Sequence, residues 1–136
     1  MPIVYKIDLD QRIVFARGIG VFSDEDVFRY QKTVWSKREV QGFDELVDMT
    51  RVERIDLPSP SRMVELAALS AHMDPPDRPA KFAIVATEKI IYGLGRMYEA
   101  NRESQSKSTK EVRVFWTIAD ALAWLEATEP QDFPAA

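Results

Sequence analysis

A chain of 136 residues with 46% hydrophobic and 29% charged side chains has enough apolar content to bury one core and too much for general disorder. Its net charge of −4 and pI near 5.1 exclude broad attraction to nucleic acid or anionic membranes, both of which need a positive field; the one basic excess, six basic against four acidic groups over residues 88–113, is a net +2. The absence of cysteine excludes disulfides, thiolate nucleophiles and the common structural zinc sites, and with no leader pattern and no apolar run near 18 residues a cytoplasmic location without stable membrane insertion is expected.

Residues 3 to 9, IVYKIDL, alternate as a strand does, and Asp10-Gln11 separates them from the apolar run IVFARGIGVF at 13 to 22, which predicts a hairpin. Ser23 supplies an N-cap, with Asp24, Glu25 and Asp26 in the first turn, where the helix dipole favours carboxylates. Val27, Tyr30 and Val34 with Phe28, Gln31 and Trp35 then form a helical apolar stripe that ends before Gly42. FDELVDMT, 43 to 50, reads as a strand, and its adjacent Leu46 and Val47 fit one covered on both faces. RVERIDLPSPSR breaks the pattern: Pro58 and Pro60 exclude a regular helix interior until about Ser61, after which Met63, Leu66, Ala67 and Ser70 carry a second helix toward Asp74.

After the stiff turn MDPPDRPAK, KFAIVAT at 81 to 87 reads as a buried strand and Glu88 to about Glu103 as a third helix. SQSKSTK at 104 to 110 is expected to be a mobile solvated loop, and EVRVFWT at 111 to 117 a final strand. Thr117, with Asp120 three residues on, caps a fourth helix bearing Ile118, Ala121, Leu122 and Leu125. The tail TEPQDFPAA is expected to fray. The order β-β-α-β-α-β-α-β-α predicts an α/β domain over residues 1–128 followed by a tail at 129–136. It has about five strands, mostly parallel because βαβ units impose right-handed crossovers, an antiparallel first strand at or near an edge, and about four helices.

That order, with FDELVDMTRVERIDL, AIVATEKIIYGLGRMYEA and VRVFWTIADALAWLE, resembles the SpoIIAA-like (STAS/Sec14-like) family of small bacterial domains over roughly residues 3 to 127. The resemblance implies the fold of the anti-sigma-factor antagonists. In those proteins an Asp-Ser-Ser-Gly loop opens a helix and a partner kinase phosphorylates a serine. The matching text here is Ile55-Asp56-Leu57-Pro58, which lacks the serines and the glycine and leaves Ser59 and Ser61 as the nearby phosphorylation candidates.

Candidate chemistry is sparse. Gly18-Ile19-Gly20 between a strand and a helix lacks the rest of a phosphate-binding fingerprint and reads as a pair shaping a strand end. His72, the only histidine, sits near a helix end, where the dipole favours it, and has neither a nucleophile nor a metal-ligand set at recognisable spacing. Asp48 and Thr50 at the end of a strand and Asp56 in the following loop occupy the region where α/β sheets gather ligands, although Asp in such turns commonly bonds its own backbone. In EKIIYGLGRMYEANRESQS, 88 to 106, each glycine costs the helix about 1 kcal/mol. The expectation is that Gly93 lets the helix lie tight on the sheet while Gly95 leaves room beside Tyr98, with Tyr92, Arg96 and Tyr98 as ligand contacts.

With no reactive constellation and no cofactor, the leading expectation is a non-enzymatic binding or regulatory module acting through a protein partner or a small ligand, with a homodimer as one arrangement. The alternatives are a carrier of a small hydrophobic ligand or lipid, which requires a cavity between the glycine-bearing helix and the sheet, and an enzyme acting on an anionic metabolite. The enzyme would need Arg96 or Lys89 to meet Asp48 or Asp56.

Overall fold

The N-terminal hairpin forms because Gln11 serves the turn through its side chain. In the computed structural model, which describes residues 3–56, 59–131 and 133, the Asp8 carboxylate accepts from the Gln11 backbone N–H at 3.0 Å and from its carboxamide at 2.9 Å. Those bonds hold the Asp8 carboxyl below its usual pKa. Strands β1 (Ile3–Asp8) and β2 (Ile13–Phe22) then pair antiparallel from Ile3 opposite Gly18 to Asp8 opposite Ile13.

Strands β3 (Asp44–Ile55), β4 (Ala80–Val85) and β5 (Lys110–Phe115) follow in parallel, and the sheet order is β1-β2-β3-β4-β5. Because each parallel strand is added on the same side of its predecessor, right-handed crossovers send all three connecting helices to one face. Helices α1 (Asp24–Val34), α2 (Pro60–Met73) and α3 (Lys89–Glu103) thus share one core with Val14, Ala16, Val52, Phe82, Ile84, Val112 and Val114. Helix α4 (Ile118–Leu125), free of any crossover, covers the other face over Ile13, Phe15, Leu46, Ala83 and Val85. The adjacent apolar pair in β3 is thereby explained, since Leu46 faces α4 and Val47 faces α1–α3. No helix among the described residues is long and apolar enough to cross a membrane.

Three local expectations are corrected. The strand expected to end at Thr50 runs on to Ile55, because β2 outlasts β4 and keeps pairing with it, Ile19 with Arg51 and Phe22 with Ile55. RVERI is therefore an alternating strand segment with Val52 buried between exposed Arg51 and Glu53. Register shifts fall at Arg17/Ile19 and Gly20/Val21, the bulges that the glycine pair allows: Gly20 has φ +69°, and a Cβ on Gly18 would lie 2.9 Å from Val52. Nor is the described part of the C-terminal tail detached. Thr128 N–H donates to Gln11 Oε1 at 2.9 Å, and the buried Phe133 ring packs 5.6 Å from Phe15. The loop at 104–110 is tied down as well, with the Thr109 N–H bonded to Asp74 at 2.9 Å and the Thr109 hydroxyl to the Pro75 carbonyl at 2.9 Å.

The glycines of α3 exchange roles. Ile91, Gly95, Tyr98 and Arg102 form its buried face, and a Cβ on Gly95 would sit 3.2 and 3.3 Å from the Val114 methyls. Gly93 faces open space, with nothing within 4 Å of a Cβ. Gly95 is thus the close-approach residue and Gly93 bears the helix penalty without a neighbour. Gly93→Ala is expected to raise stability by up to about 1 kcal/mol, whereas in Gly95→Ala crowding against a stiff valine offsets that gain. Urea unfolding of the two variants should separate them by at least about 1 kcal/mol, and equal stabilities would refute the assignment.

Candidate functional site

The α1–α3 face of the sheet is incompletely filled. Between it and the three helices lies a cavity of about 130 Å³, walled by carbon from Ala16, Val47, Met49, Leu66, Ile84, Leu94 and their neighbours. Its origin is readable in side-chain size: Ala16 on β2 is small, and Val47 on the central strand does not span the gap. Polar lining residues gather at two places.

The first is the floor, where Tyr30, Glu45 and Tyr98 reach the cavity. Glu45 is only 2% exposed, and its carboxylate accepts from the Tyr30 hydroxyl at 2.7 Å, the Trp35 indole N–H at 3.1 Å and the Lys110 ammonium at 3.1 Å. The ammonium also sits 3.1 Å from the centre of the Trp35 ring, a cation–π contact strengthened by desolvation. Burial lowers the Lys110 pKa more than Glu45 raises it. Burial and the Glu45 charge together push the Tyr30 phenol well above its ordinary value, so it stays a neutral donor. A second buried cluster adjoins this one. Arg102 donates to the Tyr98 hydroxyl at 2.6 Å, to Asp74 at 2.6 Å and to Ser108 at 3.1 Å. Burial works against the Arg102 charge, but Tyr98 and Asp74 outweigh it and its pKa is raised. Lys110 and Arg102 are not among the cavity-lining residues, so the carboxylate and the phenols form the floor and the cations stand behind them.

The second place is the solvent side, marked by the partly exposed Asp24 and Arg62. Arg62 joins α2 to the start of α1: its guanidinium bonds Asp24 at 2.9 Å, Glu25 at 2.8 Å and Glu65 at 3.2 Å, and lies 4.1 Å over the Phe28 ring. Its hydrogen bond to Asp24 holds that carboxyl below its usual pKa.

The residues singled out in the sequence do not form one site. Tyr98 lies in the cavity floor. Asp48, 1% exposed, points to the α4 face, where it accepts from Arg17 at 3.0 Å and from the Thr50 N–H and hydroxyl at 2.9 and 2.6 Å. The Arg17 guanidinium in turn lies 4.1 Å over Phe133. Asp48 is also mid-strand rather than at a strand end, since β3 continues past it, and with Thr50 it is a satisfied structural pair. Asp56 is exposed beside Arg54 at 3.9 Å. Tyr92 stacks face to face on Trp116, ring centres 3.8 Å apart. Arg96 and Lys89 are exposed on α3, across the sheet from Asp48, which removes Asp48 as the base of the enzyme alternative. Ser59 is the N-cap of α2, accepting from the Arg62 N–H at 3.2 Å, with Ser61 Oγ 3.0 Å from its hydroxyl. Leu57 and Pro58, the positions that depart from the phosphorylated loop, lie outside the described residues.

A five-stranded sheet with four parallel strands and an antiparallel edge strand, three helices on one face and one on the other define a SpoIIAA-like α/β fold. Neither a family model nor a curated protein matches the chain. Among solved structures it is similar to an uncharacterised protein from Shewanella loihica PV-4, of the DUF3478 family with a SpoIIAA-like fold. The TM-score is 0.56 and the identity 17%, over 90% of this chain and 93% of that one. At that identity the likeness establishes the fold and leaves function to be argued from the site.

Proposed function

We propose that this protein is a non-enzymatic binding or regulatory module whose effector is a small apolar molecule held between α1–α3 and the sheet. The observation that carries this reading is the carbon-walled cavity of about 130 Å³. Native interiors are packed with few voids larger than a water molecule, and a dry engineered cavity of about 150 Å³ admits benzene. The volume suits a ring or a few carbons rather than a full acyl chain, which favours a small ligand over a long lipid. Buried polar groups around it are engaged with one another.

Filling the space tests the reading. Val47→Phe projects a ring into the cavity from the central strand, and Leu94→Phe does so from α3. A large side chain forced into a packed core costs about 1–3 kcal/mol. Here each variant is expected to keep its stability within about 1 kcal/mol of the parent and to lose the rise in Tm that saturating benzene gives the parent. No rise in the parent, or an undiminished rise in both variants, would sink the proposal. A second reading, action through a protein partner or a second copy of the chain, rests on the exposed Ile90, Met97 and Trp116, apolar surface beyond what a solvated helix needs.

A further inference from the structure

Carboxylates outnumber cations around the solvent side of the cavity, and a carboxylate lines its floor, which restricts what it can hold. At the floor, the lining group is the Glu45 carboxylate, while its counter-ion Lys110, 3.1 Å away, is behind the wall. The pair is a buried dipole with its negative end inward. Around Glu45 the hydrogens are committed: the Tyr30 hydroxyl spends its proton on Glu45 at 2.7 Å, as do the Trp35 N–H at 3.1 Å and the Lys110 ammonium, whereas Tyr98 accepts from Arg102 and keeps its own proton. Three donors leave lone pairs on Glu45, and the Tyr30 oxygen takes only the long 3.3 Å contact from Trp35. At the solvent side, Arg62 is the only cation in the lining among the described residues, and Asp24, Glu25 and Glu65 all bond to it. Three carboxylates on one guanidinium leave that cluster at −2. An anionic head group meets a water-screened excess of carboxylates at the entrance and is repelled by Glu45 at the floor, where charges are poorly screened.

We infer that the cavity selects an uncharged, ring-sized molecule bearing one hydrogen-bond donor, of the phenol or indole class, directed at Glu45 and Tyr30, and that it rejects carboxylates of the same size. The inference rests on the binding reading above and sharpens it: the apolar walls set size, and the Glu45 and Tyr30 acceptors set polarity. A plain hydrocarbon hole behaves differently. There a hydroxyl loses its water partners and gains none, so phenol binds more than about tenfold more weakly than benzene.

The test is a titration of the full chain with benzene, phenol and benzoate at neutral pH, followed by amide chemical shifts, with Val47→Phe and Leu94→Phe as controls for the site. Saturable shifts at Ile84, Leu94 and Gly95 are expected with benzene and phenol, with phenol at least as tight as benzene to within about tenfold, and benzoate more than about tenfold weaker than either. Benzene binding accompanied by phenol more than about tenfold weaker, or by benzoate as tight as phenol, would overturn this inference while leaving the cavity reading intact. Failure of all three probes in the parent would overturn both.

Discussion

Glu45→Leu is expected to destabilise the protein by about 3–5 kcal/mol, the usual consequence of removing one partner of a buried ion pair. The side chain is the acceptor for Tyr30, Trp35 and Lys110, at 2.7 to 3.1 Å. Its loss leaves an ammonium, a phenol and an indole N–H without it in the core. The ammonium keeps its contact with the Trp35 ring, 3.1 Å from the centroid, worth about 2 kcal/mol or more when desolvated, which does not replace an anion. The double variant is expected to lose less than Glu45→Leu, although the Tyr30 hydroxyl and the Trp35 N–H still lose their acceptor. Glu45→Leu with Lys110→Met removes both charges and keeps apolar volume, and buried pairs replaced in this way are often neutral or better. Urea unfolding of the two single variants and the pair gives a cycle whose coupling should exceed about 2 kcal/mol. A Glu45→Leu loss below about 1 kcal/mol would mean that the cluster is not the buried charge pair its geometry describes.

This cluster also marks where reading the sequence stops. The order of strands and helices, the antiparallel edge strand, the Ser23 and Thr117 helix starts and the split of Leu46 from Val47 follow from periodicity and capping, because those are local properties. A glutamate in a strand reads as solvent-facing, since charged residues are almost never fully buried unless paired. Glu45 is paired with Lys110, 65 residues away, and nothing local announces such a partner. Gly93 and Gly95 show the same limit at smaller scale. Two glycines in one helix are visible as a cost, but which of them meets the sheet depends on helix phase, and Val114 decides it in favour of Gly95. The extension of β3 to Ile55 was hidden for a different reason: the proline pair downstream drew the boundary too early, while the strand's length is set by β2 beside it.

A cavity against the glycine-bearing helix enters the sequence reading only as what ligand carriage would require, with its existence left open. Gly95 brings α3 close to Val114 and Ile84 and so does not make the room; the open volume lies along Ala16, Val47 and Met49. Asp48 was chosen for lying near a strand end, and its burial with Arg17 and Thr50 shows why position alone is a weak warrant. Two buried ion pairs sit on opposite faces of β3, one beneath α4 and one at the base of the cavity. Only the second has its carboxylate residue in the cavity lining.

Arg102→Leu is expected to cost about 3–5 kcal/mol, and Arg102→Lys to recover only part of it. The guanidinium, 2% exposed, uses three nitrogens in three directions: Nε to Ser108 at 3.1 Å, one terminal nitrogen to Tyr98 at 2.6 Å and the other to Asp74 at 2.6 Å. A lysine offers a point charge on a flexible stem and cannot hold that planar fork. Asp74, at the end of α2, also accepts from the Thr109 N–H at 2.9 Å, so Arg102 joins the ends of α2 and α3 to the approach of β5. Removing the fork should therefore do more than lower global stability. Amide exchange at Gln105, Ser108 and Thr109 should accelerate in Arg102→Lys beyond what its change in unfolding free energy accounts for, because local opening then outruns global unfolding. Gly95→Ala, which strains the same helix away from this loop, is the control. If exchange in the loop tracks global stability equally in both variants, Arg102 is an ordinary buried ion-pair partner and not the anchor of the loop.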